Sequence, residues 1–162
     1  MSLTRDIAAT YRGPGRVLRR LQGMGRREDR ALVFILLACG LLFVAQAPYQ
    51  ARQAHLDPEV PLQARLYWSA ILFVFLCPIF FYLLAGLAWG ASRLAGVRVS
   101  GYEMRLSMFW ALLAATPLAL LAGLMAGFNG PGPGLQLSGA AWVGVFLWVW
   151  IAGLRGAAWP DR

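Results

Sequence analysis

One histidine, two cysteines and seven carboxylates are the side chains from which acid–base, nucleophilic or metal chemistry would have to be built in this sequence of 162 residues. Cys39 and Cys77 each fall inside an apolar run, where the surroundings disfavour the thiolate that acts as nucleophile or ligand. His55 stands with Asp57 and Glu59 in a stretch interrupted by Pro58, a two-carboxylate, one-histidine group that reads as a solvated turn and not as a metal centre. There is no glycine-rich phosphate loop and no nucleophile–base spacing. The expectation is therefore no enzyme, no cofactor and no metal.

The basic residues carry more information, because all fifteen are arginine. A GC-rich genome produces that bias together with the abundance of Ala, Gly, Pro and Leu. Guanidinium forks also grip phosphate bidentately, as lysine does not. Eight arginines lie in the first thirty residues, among them Arg12, Arg16, Arg19, Arg20, Arg26 and Arg27, the candidate contacts to anionic lipid headgroups. Each held near an anionic leaflet would contribute ~1 kcal/mol. The plainer alternative is an ordinary retention signal for topology. Nucleic acid is not the expected partner, since Tyr11 is the one aromatic among these arginines and bases need stacking platforms.

The elements that must hold these residues are set by hydropathy. Apolar residues make up 59% of the chain and charged ones 14%, against the ~25% charged expected of a soluble domain. Four apolar runs, 31–48, 66–91, 106–128 and 137–154, approach or exceed the ~17 residues that can cross a hydrocarbon core. The fold class is all-α: a polytopic four-transmembrane-helix bundle over residues 31–154, with a short tail from 155 to 162. The leader, residues 1–30, is expected to form an N-terminal amphipathic interfacial helix. Ser2 is a possible cap, and Leu3, Ile7 and Tyr11 share one face. Gly13-Pro14-Gly15 interrupts it, and Val17, Leu18, Leu21 and Met24 form the apolar side of a second short run.

Arginines are dense in the leader, present as Arg93, Arg98 and Arg105 in the second loop, absent from the third, and followed by Arg155 after the last span. Both termini are therefore expected in the cytoplasm. The first span imitates a secretory signal ending in Ala45-Gln46-Ala47, but the long leader and Pro48 after the cut argue for its retention.

Within the spans, small residues recur at helical spacing. Ala115, Ala119, Gly123 and Gly127 form a ridge along span three, with shorter versions at Gly86 and Gly90 in span two and at Ala140 and Gly144 in span four. Such ridges let helices approach closely in lipid, although chance produces short ones in an Ala- and Gly-rich chain. Pro78 and Pro117 are expected to kink spans two and three, freeing the carbonyls of Val74 and Leu113. Gly130-Pro131-Gly132-Pro133-Gly134 predicts a tight turn that makes spans three and four antiparallel neighbours. Trp68, Trp89, Trp110 and Trp142 fall near span ends, where indoles favour the headgroup level.

Arg5-Asp6 with Tyr11-Arg12-Gly13-Pro14, the run from Arg26 to Leu32, the segment from Phe109 to Pro117, and Gly127-Phe128 before the Gly-Pro turn together resemble a short bacterial member of the Yip1 family. The resemblance implies a helical integral membrane protein without enzymatic activity. Eukaryotic relatives bind Rab-type GTPases through a long cytosolic region with an acidic motif; this leader lacks that motif, so no GTPase-binding residue carries over.

Together these features lead us to expect an accessory, scaffolding or membrane-organising component of a bacterial inner membrane. Its partners would be anionic lipids and a membrane protein or a second copy of itself. The alternative is a small transporter or lipid-handling protein with a pathway lined by the proline-bearing spans.

Overall fold

The described chain is helical apart from short connections, and no strand occurs among the described residues. Lipid demands this, because a backbone donor in hydrocarbon must find its acceptor inside its own helix or in a closed barrel. The computed structural model describes the backbone of residues 3–97 and 99–158, and their side chains except at 157 and 158. The expected cap Ser2, the loop arginine Arg98 and residues 159–162 lie outside the described residues.

Two short helices, α1 (Leu3–Arg12) and α2 (Pro14–Gly23), precede the long ones. The first span is α3 (Glu28–Leu56). The second begins as α4 (Leu62–Ala70), widens into a π segment over Ile71–Leu76 and continues as α5 (Cys77–Leu94). The third and fourth are α6 (Gly101–Phe128) and α7 (Pro133–Ala158). All four are long and apolar enough to cross a membrane, so the protein is an all-α, multi-pass membrane bundle.

The spans outrun their apolar cores. Span one does not stop at Pro48; α3 holds that proline internally and runs on to Leu56. Good helix formers follow it, and Arg52 on the extension donates to the Gly127 and Phe128 carbonyls at 3.4 and 3.3 Å. A cation at the last carbonyls of α6 also meets the negative end of its dipole. At its other end, α6 starts at Gly101 because Ser100 and Glu103 form a capping box. The Ser100 hydroxyl accepts from the Glu103 N–H at 3.2 Å, and the Glu103 carboxylate accepts from the Ser100 N–H at 2.8 Å.

Pairings along the helices give the topology. Glu28 meets Arg105 at 2.5 Å, the Phe34 and Trp110 rings lie 4.9 Å apart, and Ala45 backs onto Gly123, so α3 and α6 run parallel. Tyr82 against Phe109 at 4.8 Å and Trp89 beside Gly101 make α5 antiparallel to α6. Gly134 near Met125 and Gly153 near Ser107 do the same for α7. The tight turn between α6 and α7 is present, with Gly130 at φ +74°.

Helix α6 is the axle of the bundle. Every residue from Leu106 to Thr116 is buried, because the leader closes the side that α3, α5 and α7 leave open. The core is Phe109, Trp110, Leu112 and Leu113 of α6 packed against Ile35, Ala38 and Cys39 of α3, with Leu18 and Val149 from α2 and α7.

Candidate functional site

The leader forms a helical hairpin whose apolar side is turned onto protein. Val17, Leu18 and Leu21 of α2 are buried against α6 and α7. In α1 the deepest residue is Thr10, which the sequence pattern did not single out; its hydroxyl donates to the Asp6 carbonyl at 2.7 Å and accepts from the Trp110 indole at 3.1 Å. Ile7 packs on the core, whereas Leu3 and Met24 remain exposed. Tyr11 donates its hydroxyl to the Ala114 carbonyl at 2.8 Å, and burial raises its phenol above the ordinary tyrosine range. Trp110 is thus fully buried in the core and faces protein instead of lipid headgroups; the leader needs a donor inside the bundle, and Trp110 supplies it.

The six headgroup candidates divide. Arg12, Arg16 and Arg20 join Arg5 around one groove of about 570 Å³ between α1 and α2, whose floor is Ala8, Ala9, Gly13 and Val17. Arg20 is paired with Asp6 at 2.6 Å, while Arg5, Arg12 and Arg16 have no carboxylate partner among the described residues. Arg19 lies elsewhere, with its aliphatic stem across Gly156 of α7. Arg26 and Arg27 belong to the connection before α3, where Arg27 pairs with Asp29 at 3.1 Å. Arg30, outside the expected set, donates to the Leu21 carbonyl at 3.1 Å and so holds the end of α2.

The small residues also divide. Ala115 and Ala119 are buried in α6, and a Cβ on Gly123 would fall 2.8 Å from the Ala45 carbonyl carbon. A Cβ on Gly127 would fall equally near the carbonyl carbon of Pro48. These glycines let the backbones of α3 and α6 touch. Gly86, Gly90 and Gly144 do not work this way, since a Cβ at any of them would meet open space. Spacing does not reveal which face of a helix looks at protein, and theirs looks outward. The close contact on α7 is Gly153, where a Cβ would meet Leu18 Cδ1 at 2.6 Å and Ser107 Oγ at 3.1 Å.

The two mid-span prolines are accommodated differently. The Leu113 carbonyl, deprived of its donor by Pro117, accepts from the Thr116 hydroxyl at 2.7 Å. The π segment ends immediately before Cys77 and Pro78, with the Cys77 N–H bonded to the Leu72 carbonyl five residues back. A wider turn makes room for the pyrrolidine ring that would otherwise strike the preceding turn. Beside it lies a cavity of about 360 Å³, lined by Phe73, Cys77 and Phe81 of span two, Gly123 and neighbours of α6, Gln46 and Tyr49 of α3, and Trp142. The Trp142 indole N–H is buried without a partner.

Cys39 and Cys77, unremarkable in sequence, both belong to the core, Cys39 buried in α3 and Cys77 part-buried in α5. His55, Asp57 and Glu59 are exposed at the far end, with Asp57 bound to Arg65 at 2.6 Å. Among the described residues no group of His, Cys, Asp and Glu could hold a metal ion. Comparison with protein-family models, with curated proteins and with solved structures finds no match.

Proposed function

We propose that this is a non-enzymatic, Yip1-type scaffolding or membrane-organising component of a bacterial inner membrane, with the leader and both termini in the cytoplasm. The positive-inside bias supports the orientation, since the leader, Arg93, Arg105 and Arg155 share one side of the bundle. The observation that carries the reading is the uneven cover of the spans. In their apolar windows 39% and 44% of residues are buried in α3 and α6, against 11% in span two and 17% in α7. Two outer helices with nearly bare faces, Phe75, Ile79, Leu83 and Leu87 on one and Leu147 and Ile151 on the other, suit a protein that receives further membrane helices.

A tagged pull-down from native membranes in mild detergent tests it. Recovery of one membrane protein, or of a second copy, at fixed stoichiometry supports the scaffold. Recovery of the monomer alone overturns it and favours the second reading, a lipid-handling protein. That reading draws on the cavity beside the π segment, whose uncharged lining suits an acyl chain and not an ion.

A further inference from the structure

The groove between α1 and α2 is more than a basic surface. Arg5, Ala8 or Ala9, and Arg12 recur at helical spacing on α1, as do Arg16 and Arg20 on α2, so small side chains form the floor and guanidinium groups the rim. Gly13 completes the floor at the turn, where the Arg16 guanidinium folds back to within 2.9 Å of the place a Cβ would occupy. The single carboxylate bound in this hairpin, Asp6, is engaged with Arg20, leaving a net excess of positive charge over the groove.

Its depth follows from the bundle. Arg52 on the Gly127 and Phe128 carbonyls marks the far boundary of the apolar zone. A hydrocarbon core of ~30 Å at ~1.5 Å per residue reaches back about 20 residues along α6, to the neighbourhood of Ser107 and Met108. Ser107 lies opposite Gly153, and Gly15 backs onto the adjacent Ala152, with the Ala152 carbonyl 3.8 Å from where a Cβ would stand. The hairpin turn, with Arg12 and Arg16 on either side of Gly13, therefore sits just inside that level, since the neighbouring Thr10 and Tyr11 are bonded to Trp110 and Ala114 of α6.

We propose that this groove binds the phosphodiester headgroup of an anionic phospholipid in the leaflet on the leader's side. Forked donors match phosphate oxygens, and long arginine side chains on a turn this near the boundary reach the level of the lipid phosphates. The assignment rests on reading the leader as a membrane-organising element. A partnerless pull-down would overturn the scaffold without touching the lipid site, and loss of the lipid would not alter partner recovery.

The test uses the full-length protein in mild detergent, with phospholipid retention counted by native mass spectrometry. Phosphatidylglycerol and phosphatidylcholine are offered together, and inorganic phosphate is offered as a competitor. The expected result is one retained phosphatidylglycerol that phosphate does not displace. Arg12→Gln with Arg16→Gln should weaken retention roughly 30-fold, the loss expected for two basic residues beside an anionic headgroup. Arg93→Gln with Arg155→Gln removes the same charge from outside the groove and should leave retention unchanged. Ala9→Glu, at an exposed position on the floor, puts a carboxylate among the guanidiniums and should abolish retention without disturbing the fold. Equal retention of phosphatidylcholine, displacement by phosphate, equal losses in both arginine pairs, or an Ala9→Glu protein that still holds the lipid would each overturn the proposal.

Discussion

Substituting Gly123 by alanine tests the central contact of the bundle with a single methyl group. Its Cβ would lie 2.8 Å from the carbonyl carbon and 3.1 Å from the Cα of Ala45, where carbon atoms in contact prefer ~3.5–4.0 Å. The nearest obstacle is the Ala45 carbonyl oxygen, far inside contact distance, and it is backbone, so no side chain can swing away and α3 must retreat by roughly 1.5 Å. That retreat strips close packing from the two most buried spans, in a solvent that offers no hydrophobic drive to restore it. Overpacking of this kind costs about 1–3 kcal/mol. Alanine also removes glycine's helix penalty of about 1 kcal/mol, which offsets part of the loss. Gly86→Ala is the matched control, because its methyl meets open space and it gains only the propensity term. Reversible unfolding in mixed micelles should place Gly123→Ala below Gly86→Ala by about 1–3 kcal/mol. At the ~2–4 °C per kcal/mol typical of chains this long, detergent melting should separate them by roughly 2–12 °C. Indistinguishable variants would refute the direct apposition of α3 and α6 at Ala45.

Four further expectations concern hydrogen bonds and the leader. Thr116→Val leaves the Leu113 carbonyl without its hydroxyl donor inside the bundle and should cost about 1–3 kcal/mol, whereas Thr116→Ser should melt like the parent. Tyr11→Phe removes the bond to Ala114 and should loosen the leader by about 1 kcal/mol, seen as faster hydrogen exchange over residues 3–23 with the spans unchanged. The same phenol sets a pH limit: its folded value is raised, so its contribution is complete below the ordinary tyrosine value near 10 and fades as pH rises through the higher folded value. Leader protection that decays between about pH 7 and 9 would contradict this. Gly153→Leu should displace Leu18 and expose α2 to limited proteolysis, while Gly144→Leu, facing open space, should not.

The capping box at Ser100 and Glu103 was written in the sequence as a Ser-x-x-Glu pattern, yet the third span was expected to begin only at Leu106. Hydropathy marks where lipid begins and is blind to a helix that continues into polar surroundings. The extension of α3 past Pro48 was hidden for a similar reason. A proline predicts a lost hydrogen bond, not the arginine four residues later that ties the extension to α6.

Four helices long and apolar enough to cross a membrane, the break between two short leader helices and the turn at Gly130 were legible in the sequence alone. Apolar run length and turn chemistry are local properties and need no partner to be read. Which faces meet was decided only by tertiary structure. Gly123 and Gly86 both sit in small-residue ridges, the second shorter, and only the placement of α3 makes one a contact and leaves the other bare. The leader's arginines likewise form one charged stretch in sequence. Docking Thr10 and Tyr11 onto α6 divides them, turning Arg5, Arg12, Arg16 and Arg20 to a common groove and sending Arg19 across α7. Contacts between residues a hundred positions apart depend on where several helices stand at once, and no single segment carries that information.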